Sequence, residues 1–420
     1  MARAHRHRVW YLSELYYPED SATGYYVTKT AEALAATHDV SVLCAQPTYR
    51  ARGTKAPAYE LLNNVHVHRC AATTLNKDVL IFRLVNLLTI SVSLFFKAVG
   101  SIRQGDLVFV VTNPPTLPFV AFLACKLRGA RLILRIEDVY PDAMIAAGML
   151  RPGSAIVRVL NFMHRSLYRN VDRVIVLGRD MLQLVRKKLP RNVGHVSIIT
   201  HWADCGEIMP LQRNENGLLQ KHGLTNKFVV QYSGNMGRTH DIEGLVQCAQ
   251  MLESNNSIHF LFIGTGAKEM WLRKTTQELR LKNVTILPPQ LRGDLAQSLN
   301  ACDLAVISFV EGMAGVSVPS RMYNILAAGK PILAVADADS ELALVVQEEH
   351  VGWLVRPASP EITAQAILEA FSNPGLLSEM SIRARALVLR DYTPMQIVGK
   401  IEKLLEGVIS SADQPLKGGS

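Results

Sequence analysis

The chain lacks the marks of several common protein classes. Its six cysteines, Cys44, Cys70, Cys125, Cys205, Cys248 and Cys302, are scattered over both halves and none is spaced as CxxC. That argues against a zinc cluster or a disulfide framework and fits a reducing compartment. No GxGxxG follows a strand-like run, so the dinucleotide fingerprint is absent. There is no RNP, zinc or basic-region motif, and few aromatics are interleaved with cations, which speaks against nucleic acid as a partner. No Asp-x-Asp is placed to hold a metal-bound diphosphate, so no metal site is expected. The basic stretch Met1–Arg8 runs through a short apolar segment straight to Glu14 and lacks a signal-peptide core or cleavage pattern. The expected location is therefore cytoplasmic, with the inner face of the membrane as a place of work.

Long apolar runs are also scarce. Val79–Val99 comes nearest, but Arg83 and Lys97 interrupt it, leaving too little to cross a hydrocarbon core of about 30 Å. It reads as a helix apolar all round. Two placements are open: buried between sheet and domain interface, or lying on a membrane surface with Arg83 and Lys97 at the headgroups.

What is present is 420 residues, 49% hydrophobic and 19% charged, with a net charge of +9 and a pI near 9.2. The length favours two domains or more, and the basic balance suits either an anionic partner or an enzyme with a mildly positive surface. Short apolar runs alternate with helical stretches: Val9–Leu12, Val40–Cys44, Val65–His68, Leu107–Val111, Leu132–Ile136 and Val174–Leu177. The pattern restarts at Phe228–Tyr232 and continues through His259–Ile263, Val284–Leu287, Leu304–Ile307 and Ile332–Val335. This alternation predicts two doubly wound parallel sheets. The expected division is an N-terminal Rossmann-like unit over 1–205, a second over 206–392, and a last helix over 393–409. A disordered tail is expected over 410–420. The polar stretch Asp204–Asn226 shows weak strand character.

Four constellations carry chemistry. Ser233 to Asp241 joins a strand to a helix; Gly234, Asn235 and Gly237 would let backbone amides approach a phosphate, and Arg238 adds a cation. Gly315 to Pro331 combines a loop, a Pro319-Ser320 helix start, Arg321 in the first turn and Asn324 one turn on. Pro18 to Gly24 follows the first strand and opens the first helix, where a doubly wound sheet places its ligand loop. Arg135 to Asp142 stands at the end of a strand, with Glu137 and Asp138 able to hydrogen-bond sugar hydroxyls. Each also has a plain reading as a tight turn or a capped helix.

In their order and spacing these segments resemble the family-4 retaining glycosyltransferases, among them bacterial enzymes of exopolysaccharide and O-antigen synthesis. The likeness runs from Val9 to Ile409. Tyr17-Pro18-Glu19 through Gly24, Thr112-Asn113-Pro114-Pro115, Arg135 to Pro141, Thr200-His201-Trp202-Ala203-Asp204, Tyr232 to Gly237, Pro319-Ser320-Arg321 and Leu326 to Pro331 carry it. The resemblance implies a GT-B fold: two Rossmann-like domains facing across a cleft, with the last helix crossing back.

It also implies a nucleotide-sugar donor, UDP- or GDP-linked, and no separate cofactor. Arg238 and the Gly234–Gly237 loop would hold the diphosphate, with Ser320 and Arg321 opposite. Asn324 would face the ribose and Pro288 the base, while Gly24 and Asp138 would reach across from the first domain. Asp138, Arg238 and Arg321 would be catalytic. The acceptor would be a glycan or a polyprenyl-diphosphate-linked sugar, and an anionic membrane surface a further partner.

Two positions depart from the family pattern. Asn324 stands where a glutamate is usual. His240-Asp241 stands where a lysine is common, and His240 would replace that lysine only if protonated. A non-catalytic binding protein and a sugar-nucleotide epimerase of the same fold are the alternatives at this point.

Overall fold

The computed structural model describes residues 6–413, apart from 20, 48–54, 74, 76–79 and 190–193, and apart from the side chains of 80, 83 and 411–413. In the N-terminal half the strands are β1 (Arg8–Leu12), β2 (Asp39–Ala45), β3 (Tyr59–Leu62), β4 (Val65–Cys70), β5 (Leu107–Val111), β6 (Arg131–Arg135), β7 (Arg173–Val176) and β8 (Val196–Ile198). Its helices are α1 (Ala22–Leu34), α2 (Leu80–Ser101), α3 (Leu117–Arg128), α4 (Asp142–Ala146), α5 (Ala155–Asn170) and α6 (Arg179–Lys188). After α7 (Gly217–Lys221) come β9 (Phe228–Asn235), α8 (Ile242–Met251), β10 (Ile258–Thr265), α9 (Glu269–Glu278), β11 (Val284–Leu287), α10 (Leu295–Asn300) and β12 (Leu304–Ser308). Then follow α11 (Arg321–Ala327), β13 (Ile332–Val335), α12 (Glu341–Glu348), β14 (Gly352–Val355), α13 (Pro360–Ser372), α14 (Pro374–Asp391) and α15 (Pro394–Asp413).

The strands form two sheets, β3-β4-β2-β1-β5-β6-β7-β8 and β11-β10-β9-β12-β13-β14. The second is all parallel. The first departs from parallel only at β3, which pairs antiparallel with β4. The central strands β5 and β12 are buried along their whole length, because helices cover both faces of each sheet and leave no polar side. Serine and asparagine start the helices where local chemistry asks for a cap: Ser21 accepts from the Gly24 amide, Ser154 from Val157, Ser340 from Ala343 and Asn216 from Leu218 and Leu219.

The halves meet through backbone as well as side chains. The Val139 amide donates to the Val316 carbonyl at 2.9 Å, and Asp138 and Ser317 form an antiparallel bridge. Asp180 Oδ2 accepts from the amides of Gly315 and Glu341, both at 2.9 Å. Trp202, buried in the crossing segment, takes a hydrogen bond from Tyr26 on its carbonyl. Helix α15 packs Ile397, Ile401, Leu405 and Val408 against the β1, β2 and α1 core of the first half.

The stretch 204–226, read as weak in strand character, holds no strand; it forms a 3-10 turn at Arg213–Glu215 and the helix α7, capped by Asn216. Two expectations need correcting. The tail does not begin at 410, because α15 continues to Asp413; residues 414–420 lie outside the described residues. Helix α2 is not buried all round. Ile90, Leu94 and Ala98 enter the core, while Leu84, Leu88, Val92 and Phe96 are exposed at four-residue spacing.

Candidate active site

Parallel sheets of this kind bind ligands beyond the carboxyl ends of their strands, and here the two sheets turn those ends toward one another. Between them lies a cleft of about 570 Å³. From the second half come the β9 end (Ser233, Gly234, Asn235), Thr239, His240, the loop Pro289–Arg292, and Ser317 through Arg321 with Asn324. From the first come Ser21, Ala22, Tyr25, Tyr26, Asp138 and Ala143.

Arg321 is the cation at its centre. Its guanidinium lies 4.9 Å over the Tyr232 ring, with Nη1 donating to the Ser233 carbonyl at 3.2 Å and Nη2 to His240 Nε2 at 2.8 Å. Gly234 makes room for it. A Cβ there would fall 2.8 Å from Arg321 Cζ, and the residue has φ +144°, a backbone state that suits glycine.

Because Arg321 always donates, His240 Nε2 must accept, so the ring is held neutral. Burial lowers its pKa well below the usual histidine range, and Arg321 and Lys268 push the same way. The protonated form that replacing the lysine would require is therefore not what His240 provides. Lys268 Nζ donates to the His240 carbonyl and to Glu243, each at 2.6 Å.

Asp138 faces the cleft from the other side. Burial pushes its pKa up to about 6; a hydrogen bond from the Ser317 hydroxyl opposes this, and the Glu137 charge adds to it. Glu137 is not free for a sugar. Arg135 Nε holds one carboxylate oxygen at 2.9 Å and His201 Nε2 the other at 3.0 Å, while Arg135 Nη2 donates to His201 Nδ1 at 3.1 Å. His201 is thus a neutral bridge between two ions, with burial lowering its pKa. Burial would raise Glu137, but His201 and Arg135 outweigh it and hold the carboxyl at about 2. The Thr112 hydroxyl accepts from the amides of both Glu137 and Asp138 at 3.0 and 3.2 Å, fixing the turn that separates a structural carboxylate from an open one.

Of the residues singled out in the sequence, Asp138, Gly234, Asn235, His240, Ser320, Arg321 and Asn324 come together in the cleft. Gly24, Gly237, Arg238 and Pro288 do not line it. Gly24 serves its own loop: a Cβ would meet the Glu19 carbonyl at 2.7 Å, and Ser21 and Ala22 reach the cleft in its place. Arg238 and Pro288 are exposed, with Pro289 lining the wall instead. Sequence reasoning passed over Arg292, whose guanidinium sits 3.2 Å over the Tyr25 ring and closes the interface at one end. The pair is separated by more than half the chain, and no local pattern announces it.

The comparisons with known proteins agree with this geometry. Residues 216–387 match the model for glycosyl transferases group 1, and residues 21–198 match that for a glycosyl transferase 4-like domain. A probable glycosyltransferase of Pseudomonas aeruginosa, WbjE, is 32% identical over 75% of this chain and 78% of its own. The chain belongs to the group 1 glycosyl transferases. A putative colanic acid biosynthesis glycosyl transferase of Escherichia coli, WcaI, is 28% identical over 86% of this chain and 91% of its own. Among solved structures, Anabaena HepE in complex with UDP and glucose superimposes with a TM-score of 0.74 at 13% identity, covering 96% of this chain and all of that one. At that identity the likeness concerns the fold, and the fold is GT-B.

Proposed function

We propose that this group 1 glycosyltransferase moves a hexosyl or deoxyhexosyl group from a UDP- or GDP-linked donor to a glycan acceptor, with retention of configuration. The acceptor is carried on a polyprenyl diphosphate at the inner, anionic face of a membrane, and the product enters polysaccharide or cell-surface glycan synthesis. The observation that carries the reading is Arg321, a guanidinium in the cleft between two parallel sheets, with Gly234 clearing the space beside it. A cation placed there stabilises charge gathering on a leaving diphosphate. The UDP of HepE and the colanic acid pathway named for WcaI support the donor class and the product class.

In this mechanism Arg321 and the backbone of Ser320 hold the diphosphate, and Asn324 faces the ribose. Gly234 and Asn235 bound the phosphate side, and Asp138 positions the acceptor hydroxyl or the reacting sugar. His240 orients Arg321 as a neutral acceptor. Arg238, outside the cleft lining, adds positive field at its mouth, and Gly237 shapes the loop that bears it. Gly24 keeps the Ser21–Ala22 turn in reach of the donor, and Pro288 sets the course of the wall by the base. The acceptor hydroxyl attacks the face that the diphosphate leaves.

The test is calorimetric binding of UDP, GDP, ADP and CMP to the full chain, followed by NMR of the transferred sugar's anomeric centre. One diphosphate should bind and Arg321→Ala should weaken that binding by about ten-fold or more. Equal binding by wild type and variant would remove Arg321 from the site, and an inverted anomer would remove retention.

A further inference from the structure

Three neighbouring helices of the first half carry an unusual outer surface. Helices α2, α3 and α5 cover one face of the first sheet, and all three pack into one core; the Phe119 and His164 rings meet at 5.0 Å between α3 and α5. Their outward side is apolar. Twelve large apolar side chains on these helices are exposed, among them Leu88 at 65%, Phe96 at 68% and Phe162 at 74%. An exposed apolar surface of this kind marks an interaction site.

Charge tells which partner. The three helices contain seven arginines and lysines and no aspartate or glutamate. Lys97, Lys126, Arg158, Arg165 and Arg169 are exposed, and none is in an ion pair among the described residues. A second copy of the chain would set these cations against their like. An anionic bilayer satisfies both features: headgroups meet the cations while the apolar side chains enter the acyl boundary.

We infer that the α2–α3–α5 face docks flat on an anionic lipid bilayer. This rests on the proposal of a membrane-borne acceptor and names the surface that meets the lipid. Helix α2 has an 18-residue window apolar enough to span, yet it lies in the plane, because Ile90, Leu94 and Ala98 bind it to the sheet. The face is tied to the cleft wall: Tyr140, two residues beyond Asp138 of the cleft lining, meets the His164 ring of α5 at 6.3 Å.

The experiment is sedimentation of the full chain with vesicles of phosphatidylcholine alone or with 30 mol% phosphatidylglycerol, at low salt, with UDP and GDP binding measured in parallel. Binding to the anionic vesicles is expected. At roughly five-fold per cation, Arg158→Gln with Arg165→Gln should weaken it roughly thirty-fold. Leu88→Ser with Phe162→Ser should also release the protein, with nucleotide binding unchanged in both variants. These positions are exposed, so the fold survives the changes. Failure to bind anionic vesicles, equal binding to neutral ones, or a dimer that shields this face would overturn the inference. Vesicle binding without any nucleotide binding would leave the docking face standing and remove the transferase proposal.

Discussion

Asp138→Asn separates stability from activity in a way the cleft makes calculable. The carboxyl has its pKa raised from an ordinary 3.8 to about 6, chiefly by burial. Above pH 6 the folded protein must keep an ionised group where a neutral one is preferred. The folded state therefore binds more protons than the unfolded one between pH 3.8 and 6, so stability is lost as pH rises through that window and stays lower above it. At 1.36 kcal/mol per pH unit the loss is about 3 kcal/mol, an upper value because Asp138 keeps part of its surface on the cleft. Asparagine resembles the protonated form and escapes the loss. The variant should gain under about 1 kcal/mol at pH 4, roughly 1–2 at pH 5 and up to about 3 at pH 7.5. Urea unfolding of both proteins at the three pH values checks this, while transfer activity should fall in the variant. A variant less stable than wild type at pH 7.5, or a gain that does not grow with pH, would refute the reasoning.

Other expectations follow from the same contacts. If the ionised Asp138 is the working form, kcat/KM should rise through a pKa near 6 and the rise should vanish in Asp138→Asn; a pH–rate profile decides. Gly234→Ala should cost about 1–3 kcal/mol of stability from the backbone state and weaken nucleotide binding by displacing Arg321, both read by thermal unfolding with and without ligand. Glu137→Gln leaves the buried Arg135 short of its carboxylate and should destabilise by about 3–5 kcal/mol, measured by denaturant unfolding; a change under 1 kcal/mol would contradict the assignment of Glu137 as structural.

Much of the architecture was legible because each central strand is a continuous apolar run and each ligand loop directly follows one. Leu107–Val111 and Leu304–Ser308 needed only their composition to be read. Strand β3 escaped because Tyr59–Leu62 is short and its alternate residues are exposed at a sheet edge. Its long apolar run located α2 but could not say which face the core takes, since both faces are apolar. In the cleft, Gly234 and Asp138 were visible as residues at or just beyond strand ends, and Arg321 and Asn324 as residues of a helix start. The roles of Glu137 and His240 were not, because each is decided by a partner from elsewhere in the chain: His201 locks the first and Arg321 neutralises the second. Gly24 stands outside the cleft lining for a related reason. A glycine required by its own loop looks, in sequence, like one required by a ligand.

The central claim is that Arg321 and the cleft around it hold the diphosphate of a nucleotide-sugar donor. Thermal unfolding of wild type and Arg321→Ala with UDP and GDP tests it most directly. A ligand at a hundred times its dissociation constant stabilises by about 2.7 kcal/mol, and loss of a charged hydrogen-bond partner costs about 1.5–3 kcal/mol. The account predicts a clear shift for wild type with one of the two diphosphates and a shift cut by about half or more for the variant. Identical shifts in the two proteins, or no shift in wild type with either nucleotide, would contradict it.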